Sequence, residues 1–121
     1  MKYISLNKYR EINSETSSLV LVNLDLLVNT LKTDNPEYFV DHNTKNKFSL
    51  PRINSVITFT ENNLAYDNIF EAPILSFDNN KLGVIDGRHR ISGAKKIGYT
   101  HIYVEVPNKY KSMLLDLTKG C

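Results

Sequence analysis

Two apolar runs in the last third of the chain, at 72–77 and 82–86, restrict the possible folds most strongly. They flank "DNNK", in which asparagines tolerate positive φ, so the segment predicts a β-hairpin. Apolar residues recur every three positions over 88–97 and Gly98 follows as a stop signal, which predicts a helix. The alternating residues 101–106 predict a strand. These elements indicate a small α/β (α+β) domain, with helices packed on a mixed sheet.

The first third of the chain carries weaker signals. "YISL" at 3–6 is rich in β-formers and predicts a first strand. Apolar residues at helical intervals predict a helix over 19–32, which Thr16, Ser17 or Ser18 would cap. The β-branched "LVLV" leaves open a strand at 19–22, with Asn23 as the cap of a shorter helix.

The middle third is polar and asparagine-rich. Its apolar residues within 53–59 favour a strand or a hairpin arm. The whole stretch 33–70 is expected either to cover a ligand or to be a long surface excursion. Beyond it, "NKYKSMLLDLTK" predicts a short amphipathic helix capped by Asn108.

Length and composition exclude several classes of protein. A chain of 121 residues fits a single domain over 1–121. It holds no apolar run that could span a membrane and no secretory signal, so a cytoplasmic location is expected. The net charge of +2 is too small to indicate nucleic-acid binding by composition. Cys121 is the single cysteine, which excludes an intrachain disulfide and a thiolate zinc site.

The junction between the second hairpin strand and the helix combines five residues of interest. Gly87 allows the backbone to approach a ligand closely. The first amide groups of the helix are unpaired and, with the helix dipole, favour an anion. Arg88, His89 and Arg90 add donors that suit phosphate oxygens, with Asp86 beside them. The junction therefore predicts a site for a phosphate-bearing ligand.

A purely structural explanation of the same residues stays open. Asp86 could cap the helix and pair with Arg88 or Arg90, because ion-pair networks and binding sites look alike in sequence. Ser92 and Gly93 within the helix favour close packing or close approach of a ligand, since glycine costs about 1 kcal/mol there relative to alanine.

The pattern "IDGRHRISGAKKIGY" followed by "HIYVEV" resembles the ParB/sulfiredoxin-like superfamily. Its members carry a D-G-x-H-R or related box, then a helix of small residues and a valine-rich strand. The resemblance covers 72–106, and "YISLNKYREI" is similar to the family's first strand with its following loop. Residues 33–70 are longer than the usual link and form a family-atypical insertion.

The resemblance implies binding of a nucleotide such as ATP or CTP, with Mg²⁺ accompanying a triphosphate. Asp86 and His89 would be the catalytic residues, while Glu11 or Glu15 lies where one branch has its general base. No set of protein ligands for a metal is apparent. Contacts to phosphate or nucleotide would come from Gly87, Arg88, His89, Arg90 and Ser92.

The box departs from two well-defined branches. Sulfiredoxins have a catalytic cysteine where this chain has Arg88, so sulfinic acid reduction is excluded. ParB proteins have Gly-Glu-Arg-Arg at this position, whereas the free-serine kinase branch and the DGQHR-domain proteins are closer.

Three functions follow from the residues and the resemblance. The first is nucleotide or phosphate binding, with nucleotide hydrolysis or phosphotransfer. A DNA-associated nuclease or DNA-binding regulator, in which the arginines hold backbone phosphate, is the second. The third is a non-enzymatic module that binds a protein through the insertion.

Overall fold

The computed structural model describes residues 1–63 and 69–118 of the chain. Within these ranges it contains four α-helices and a four-stranded sheet in the order β1-β4-β2-β3. The strands are β1 (Ser17–Asn23), β2 (Ile74–Asp78), β3 (Lys81–Asp86) and β4 (His101–Pro107). The helices are α1 (Leu24–Asp34), α2 (Ser49–Asn63), α3 (Arg88–Ile97) and α4 (Lys111–Thr118). The fold is therefore a small α+β fold with a mixed sheet.

The sheet joins two antiparallel pairs through one parallel contact. β1 runs antiparallel to β4, and β2 runs antiparallel to β3. The two pairs meet where β2 and β4 lie parallel, with Ile74 opposite Glu105. Asn79 and Asn80 form the hairpin turn with φ of 51° and 63°, so the predicted hairpin and its asparagine turn are confirmed.

The core lies between the sheet and its helices. Strand residues Val22, Leu75 and Val104 are almost completely buried. The same cluster includes Ile91 of α3 and Leu114 of α4. Each fully buried aliphatic side chain contributes about 1.5–3 kcal/mol, so this cluster fixes α3 against the sheet.

The segment after residue 16 is a strand followed by a helix, and the single helix predicted over 19–32 is wrong. Val20 and Val22 are buried in β1 at alternate positions, as a half-buried strand requires. Asn23 then caps α1, since its side chain accepts a hydrogen bond from the Leu26 amide at 3.0 Å. The alternative with Asn23 as the cap is therefore the correct one, and capping by Thr16, Ser17 or Ser18 is not seen.

The strand predicted at 3–6 is absent from the described structure, where a 3-10 turn occupies Leu6–Lys8. The Thr100 amide donates to the Lys2 carbonyl oxygen, and the Lys2 amide donates to the Thr100 side-chain Oγ1, but no ladder continues from that point. Ile4 alone is buried, which anchors the segment without an alternating pattern.

The strand predicted within 53–59 is also wrong, because these residues lie in α2. The side chain of Asn46 accepts hydrogen bonds from the amides of Phe48 and Ser49 at 2.8 and 3.1 Å, as an N-cap residue does. Ile53, which belongs to this helix, is fully buried. Tertiary packing thus outweighs the β-propensity of the branched residues.

The elements on either side of β4 follow the prediction closely. α3 spans Arg88–Ile97 and ends at Gly98, whose φ of 99° places it in the left-handed region. After β4, a 3-10 turn over Asn108–Tyr110 leads into α4. Asn108 does not cap the turn; its side chain accepts a hydrogen bond from the Ser18 hydroxyl. The helix prediction is confirmed and the Asn108 cap is wrong.

Among the residues that the structure describes, no helix has the length and apolarity needed to cross a membrane.

Candidate functional site

The junction between β3 and α3 is built around Gly87. Its φ is +100°, and a Cβ atom added to it would lie 2.8 Å from Pro73 Cα. Gly87 is the N-cap position of α3 and has no side chain with which to cap the helix. The first turn of α3 therefore presents backbone amides that no N-cap side chain satisfies, which favours an anion at this end.

A second glycine brings α2 against α3. A Cβ atom added to Gly93 would lie 2.7 Å from Val56 Cγ1, so the two helices approach too closely for a larger residue without movement. This contact explains the glycine inside a helix. It also places the face of α2 that carries Arg52 beside the β3–α3 junction.

The Arg90 side chain is committed to the protein itself. Its Nη1 donates to the carbonyl oxygens of Glu71 and Ala72, each at 3.1 Å. Its Nη2 donates to Asp86 Oδ2 at 3.0 Å. The structural pairing considered for Asp86 is thus present with Arg90, whereas Gly87 and not Asp86 is the N-cap residue.

Arg88 and Arg52 have much weaker ties. Arg88 Nη1 donates to the Glu37 carbonyl oxygen at 3.3 Å. The Arg52 guanidinium lies over the Phe48 ring, 4.2 Å from its centroid. Neither arginine makes an ion pair within residues 1–63 and 69–118. Their charges are therefore available to an anionic ligand.

His89 lines the same pocket as these two arginines. Its Nε2 is 3.2 Å from Ser49 Oγ, and its ring meets Phe48 edge to face with centroids 6.1 Å apart. Burial lowers the pKa of His89 below its usual value, and the positive charges of Arg88 and Arg52 lower it further. The imidazole is therefore kept neutral near pH 7 unless negative charge enters the site.

These residues surround a pocket of about 550 Å³, which we call the corner pocket. One side comes from β3 and the start of α3, the other from α2 and the residues that precede it. Three arginines and one carboxylate line it, so its charge is positive. The lining residues are Tyr38, Phe48, Arg52, Ser55, Val56, Val84, Ile85, Asp86, Gly87, Arg88, His89 and Arg90.

The structure brings together most of the residues singled out from the sequence. Asp86, Gly87, Arg88, His89 and Arg90 all line the corner pocket. Their proximity is what a phosphate site at the β3–α3 junction requires.

The remaining sequence candidates lie elsewhere. Ser92 is buried, and its hydroxyl donates to the Val40 carbonyl oxygen at 2.7 Å, outside the lining of the corner pocket. Glu11 lines a neighbouring pocket of about 240 Å³, which shares Asp86 and Arg90 with the corner pocket. Glu15 lines neither pocket. Of the two glutamates, Glu11 therefore shares a pocket with residues of the junction.

Sequence reasoning missed Phe48 and Arg52 as pocket residues. The signal that could have found them is Asn46 as a cap, followed by Pro51 near the start of the helix and by apolar Ile53 and Val56 three positions apart. With α2 recognised, Arg52 and Val56 fall on one helical face.

The described residues offer no group of three His, Cys, Asp or Glu side chains that could hold a metal ion. Comparisons with protein-family models, curated proteins and solved structures found no match for this chain.

Proposed function

We propose that the corner pocket binds a phosphate-bearing small molecule, with a nucleotide as the first candidate. One observation carries the proposal: Arg52 of α2 and Arg88 of α3 line the same pocket, and neither has an ion-pair partner among the described residues. Two positively charged guanidinium groups repel each other, so a bound anion would stabilise this arrangement.

The size and lining of the pocket favour a ligand larger than free phosphate. A volume of about 550 Å³ lies within the usual range for small-molecule sites. Tyr38 and Phe48 add aromatic surface beside the arginines, and Phe48 is more than half exposed. An aromatic base attached to the phosphate would have a ring on which to stack.

The chemistry proposed for the pocket is nucleotide hydrolysis or phosphotransfer. The arginines would neutralise charge on the transferred group, and His89, in the fraction that stays neutral when the anion is bound, could accept a proton from the attacking group. With a triphosphate, Asp86 would help to hold Mg²⁺ through water, and the ion would supply charge neutralisation. Glu11, which lines a neighbouring pocket together with Asp86, is a second candidate for the general base.

The same residues support membership of the ParB/sulfiredoxin-like superfamily as part of the proposal. The hairpin, the "DGRHR" box, α3 and β4 follow each other in the family's order. A cytoplasmic location accompanies this proposal.

Calorimetric titration with ATP, CTP and inorganic phosphate tests the proposal. We expect Arg88→Gln and Arg52→Gln each to weaken binding about tenfold, since each removes a charge-assisted contact. Lys96→Gln is the matched control, because Lys96 is exposed on the same helix as Arg88 and lies outside the pocket lining. It should change the affinity less than about twofold.

Two results would contradict the proposal. One is the absence of binding by the unaltered protein to any of the three ligands. The other is unchanged affinity in both arginine variants. Salt-sensitive retention of DNA without binding of any mononucleotide would favour the DNA-associated alternative instead.

A further inference from the structure

A second pocket of about 390 Å³ adjoins the corner pocket. We call it the flank pocket, because it follows one side of α2. Ser55, Val56 and Arg90 line both pockets, so the two share a boundary. The flank pocket is lined by Arg10, Ser55, Val56, Phe59, Ile69, Phe70, Glu71 and Arg90.

One face of α2 extends along both pockets. Arg52, Ser55, Val56 and Phe59 follow the spacing i, i+3, i+4 and i+7, which places them on one side of the helix. Arg52 lines the corner pocket and Phe59 the flank pocket, with the shared residues between them. At a rise of 1.5 Å per residue, the path from Arg52 to Phe59 is about 10 Å long.

The two pockets differ in charge. In the flank pocket, Arg10 pairs with Glu71 at 3.1 Å, and Arg90 pairs with Asp86 at 3.0 Å. The cations of the flank pocket are therefore balanced by carboxylates. The cations without ion-pair partners in the described chain, Arg52 and Arg88, lie at the corner pocket.

The flank pocket also presents apolar surface to solvent. Phe59 is 38% exposed and Ile69 is 47% exposed, although both are large hydrophobic side chains. Covering such surface with an apolar group gains about 25 cal/mol for each Å² removed from water. A positive pocket beside an apolar one suits a ligand that has an anionic end and an apolar end.

We infer that the flank pocket is a subsite for the apolar group of a phosphate monoester whose phosphate lies in the corner pocket. This inference rests on the proposed function, since it requires phosphate in the corner pocket. The ligand class is an aryl phosphate or another phosphate ester with a comparably large apolar group. Phe59 and Ile69 contact that group, while Arg52 and Arg88 hold the phosphate.

The test compares inorganic phosphate, phenyl phosphate and 1-naphthyl phosphate by calorimetric titration. At about pH 8 all three probes are largely dianionic, so their affinities differ through the organic group and not through charge. The affinity is expected to rise in that order, with naphthyl phosphate about tenfold or more tighter than inorganic phosphate.

Substitutions at Phe59 identify where the gain arises. Phe59→Ala should remove most of the gain of naphthyl phosphate and leave the affinity for inorganic phosphate within about twofold. Phe59→Leu should retain most of it, because leucine keeps an apolar wall. Leu6→Ala is the control for loss of an exposed apolar side chain, since Leu6 is exposed and lies outside both pockets.

The outcomes separate this inference from the proposed function. If inorganic phosphate binds and the aryl esters bind no tighter, the flank subsite is overturned and the phosphate site stands. The same holds if the aryl gain survives Phe59→Ala unchanged. If none of the probes binds, the flank subsite is overturned, and the proposed function fails as well if ATP and CTP also do not bind. Tighter binding of a short single-stranded oligonucleotide than of naphthyl phosphate would also overturn the small-molecule assignment.

Discussion

The two sides of the corner pocket are constructed differently. The β3–α3 side depends on the backbone, since Gly87 makes a turn with positive φ directly against Pro73. The α2 side depends on side chains, with Asn46 fixing the start of the helix and Val56 packing onto Gly93. A Cβ atom added to Gly87 would meet the backbone of Pro73, whereas a Cβ atom added to Gly93 would meet the Val56 side chain, which can be replaced.

The arginines show what this difference means for function. Arg88 and Arg90 are two positions apart, yet Arg90 bonds to two backbone carbonyls and a carboxylate while Arg88 has one long contact to a carbonyl. Arg52, from the other side, resembles Arg88 in having no ion pair among the described residues. Within one motif, Arg90 is therefore held by the protein itself, whereas Arg88 stays available to a ligand.

The largest expected effect comes from the backbone side of the pocket. Gly87→Ala should lower the free energy of unfolding by about 3 kcal/mol, because positive φ costs about 1 kcal/mol and the clash with Pro73 costs more. Gly98→Ala is the matched control, since Gly98 has nearly the same φ of +99° with nothing within 4 Å of its added Cβ. It should cost about 1 kcal/mol. Urea denaturation measures both free energies of unfolding. Equal losses of stability in the two variants would show that the Pro73 contact is unimportant.

The next effect separates the two arginines of the motif. Arg90→Gln should lower the free energy of unfolding by about 2 kcal/mol, because the carbonyls of Glu71 and Ala72 lose their donor. Arg88→Gln should change it by less than about 0.5 kcal/mol. Thermal and urea denaturation measure both values. Similar losses in the two variants would remove the distinction between a structural and a binding arginine.

A smaller effect tests the side-chain construction of the α2 side. Asn46→Ala should cost about 1 kcal/mol of stability through loss of the cap, and Asn23→Ala should cost about the same at α1. Phosphate affinity should fall in the Asn46 variant, because α2 carries Arg52. In the Asn23 variant the affinity should stay unchanged. Calorimetric titration measures the phosphate affinity of both variants. Equal affinities in the two would mean that the Asn46 cap does not position the pocket.

The smallest effect concerns protonation at the centre of the pocket. Burial together with Arg88 and Arg52 lowers the pKa of His89 in the free protein. A bound dianion offsets those positive charges, so the complex takes up a proton and the affinity rises as the pH falls. Sulfate is the probe, because its own charge does not change over this range. We expect an increase of a few fold from about pH 8 to about pH 6.

His89→Gln should make the sulfate affinity nearly independent of pH while leaving the two arginines in place. An equally steep pH dependence in this variant would exclude His89 as the responsible group.

The sequence was informative where local chemistry alone determines the structure. The hairpin, α3 and its end at Gly98 were predictable because asparagine and glycine take up positive φ without help from distant residues. The five residues of the box follow directly, since a strand and a helix that meet at a glycine must present them together. Their convergence on one pocket could therefore be anticipated.

The remainder depends on contacts between distant segments. α2 contains the β-branched Ile53, Val56 and Ile57, and its packing against Gly93, which lies far along the chain, favours the helix over a strand. Ser92 was assigned to the phosphate site from its position in the motif, whereas its hydroxyl donates to the Val40 carbonyl oxygen. Neither partner can be identified from spacing in a single sequence.

The end of α1 has a consequence for how this sheet meets other molecules. β3 is an edge strand, and such strands expose backbone groups that invite pairing with another chain. Here the Leu82 amide donates to Asp34 Oδ2 at 3.0 Å, and the Leu82 carbonyl oxygen accepts from Asn35 Nδ2 at 2.6 Å. A strand from a second molecule that approached β3 at Leu82 would find both backbone groups already bonded. The last residues of one helix thus protect the sheet against growth by strand addition at this point.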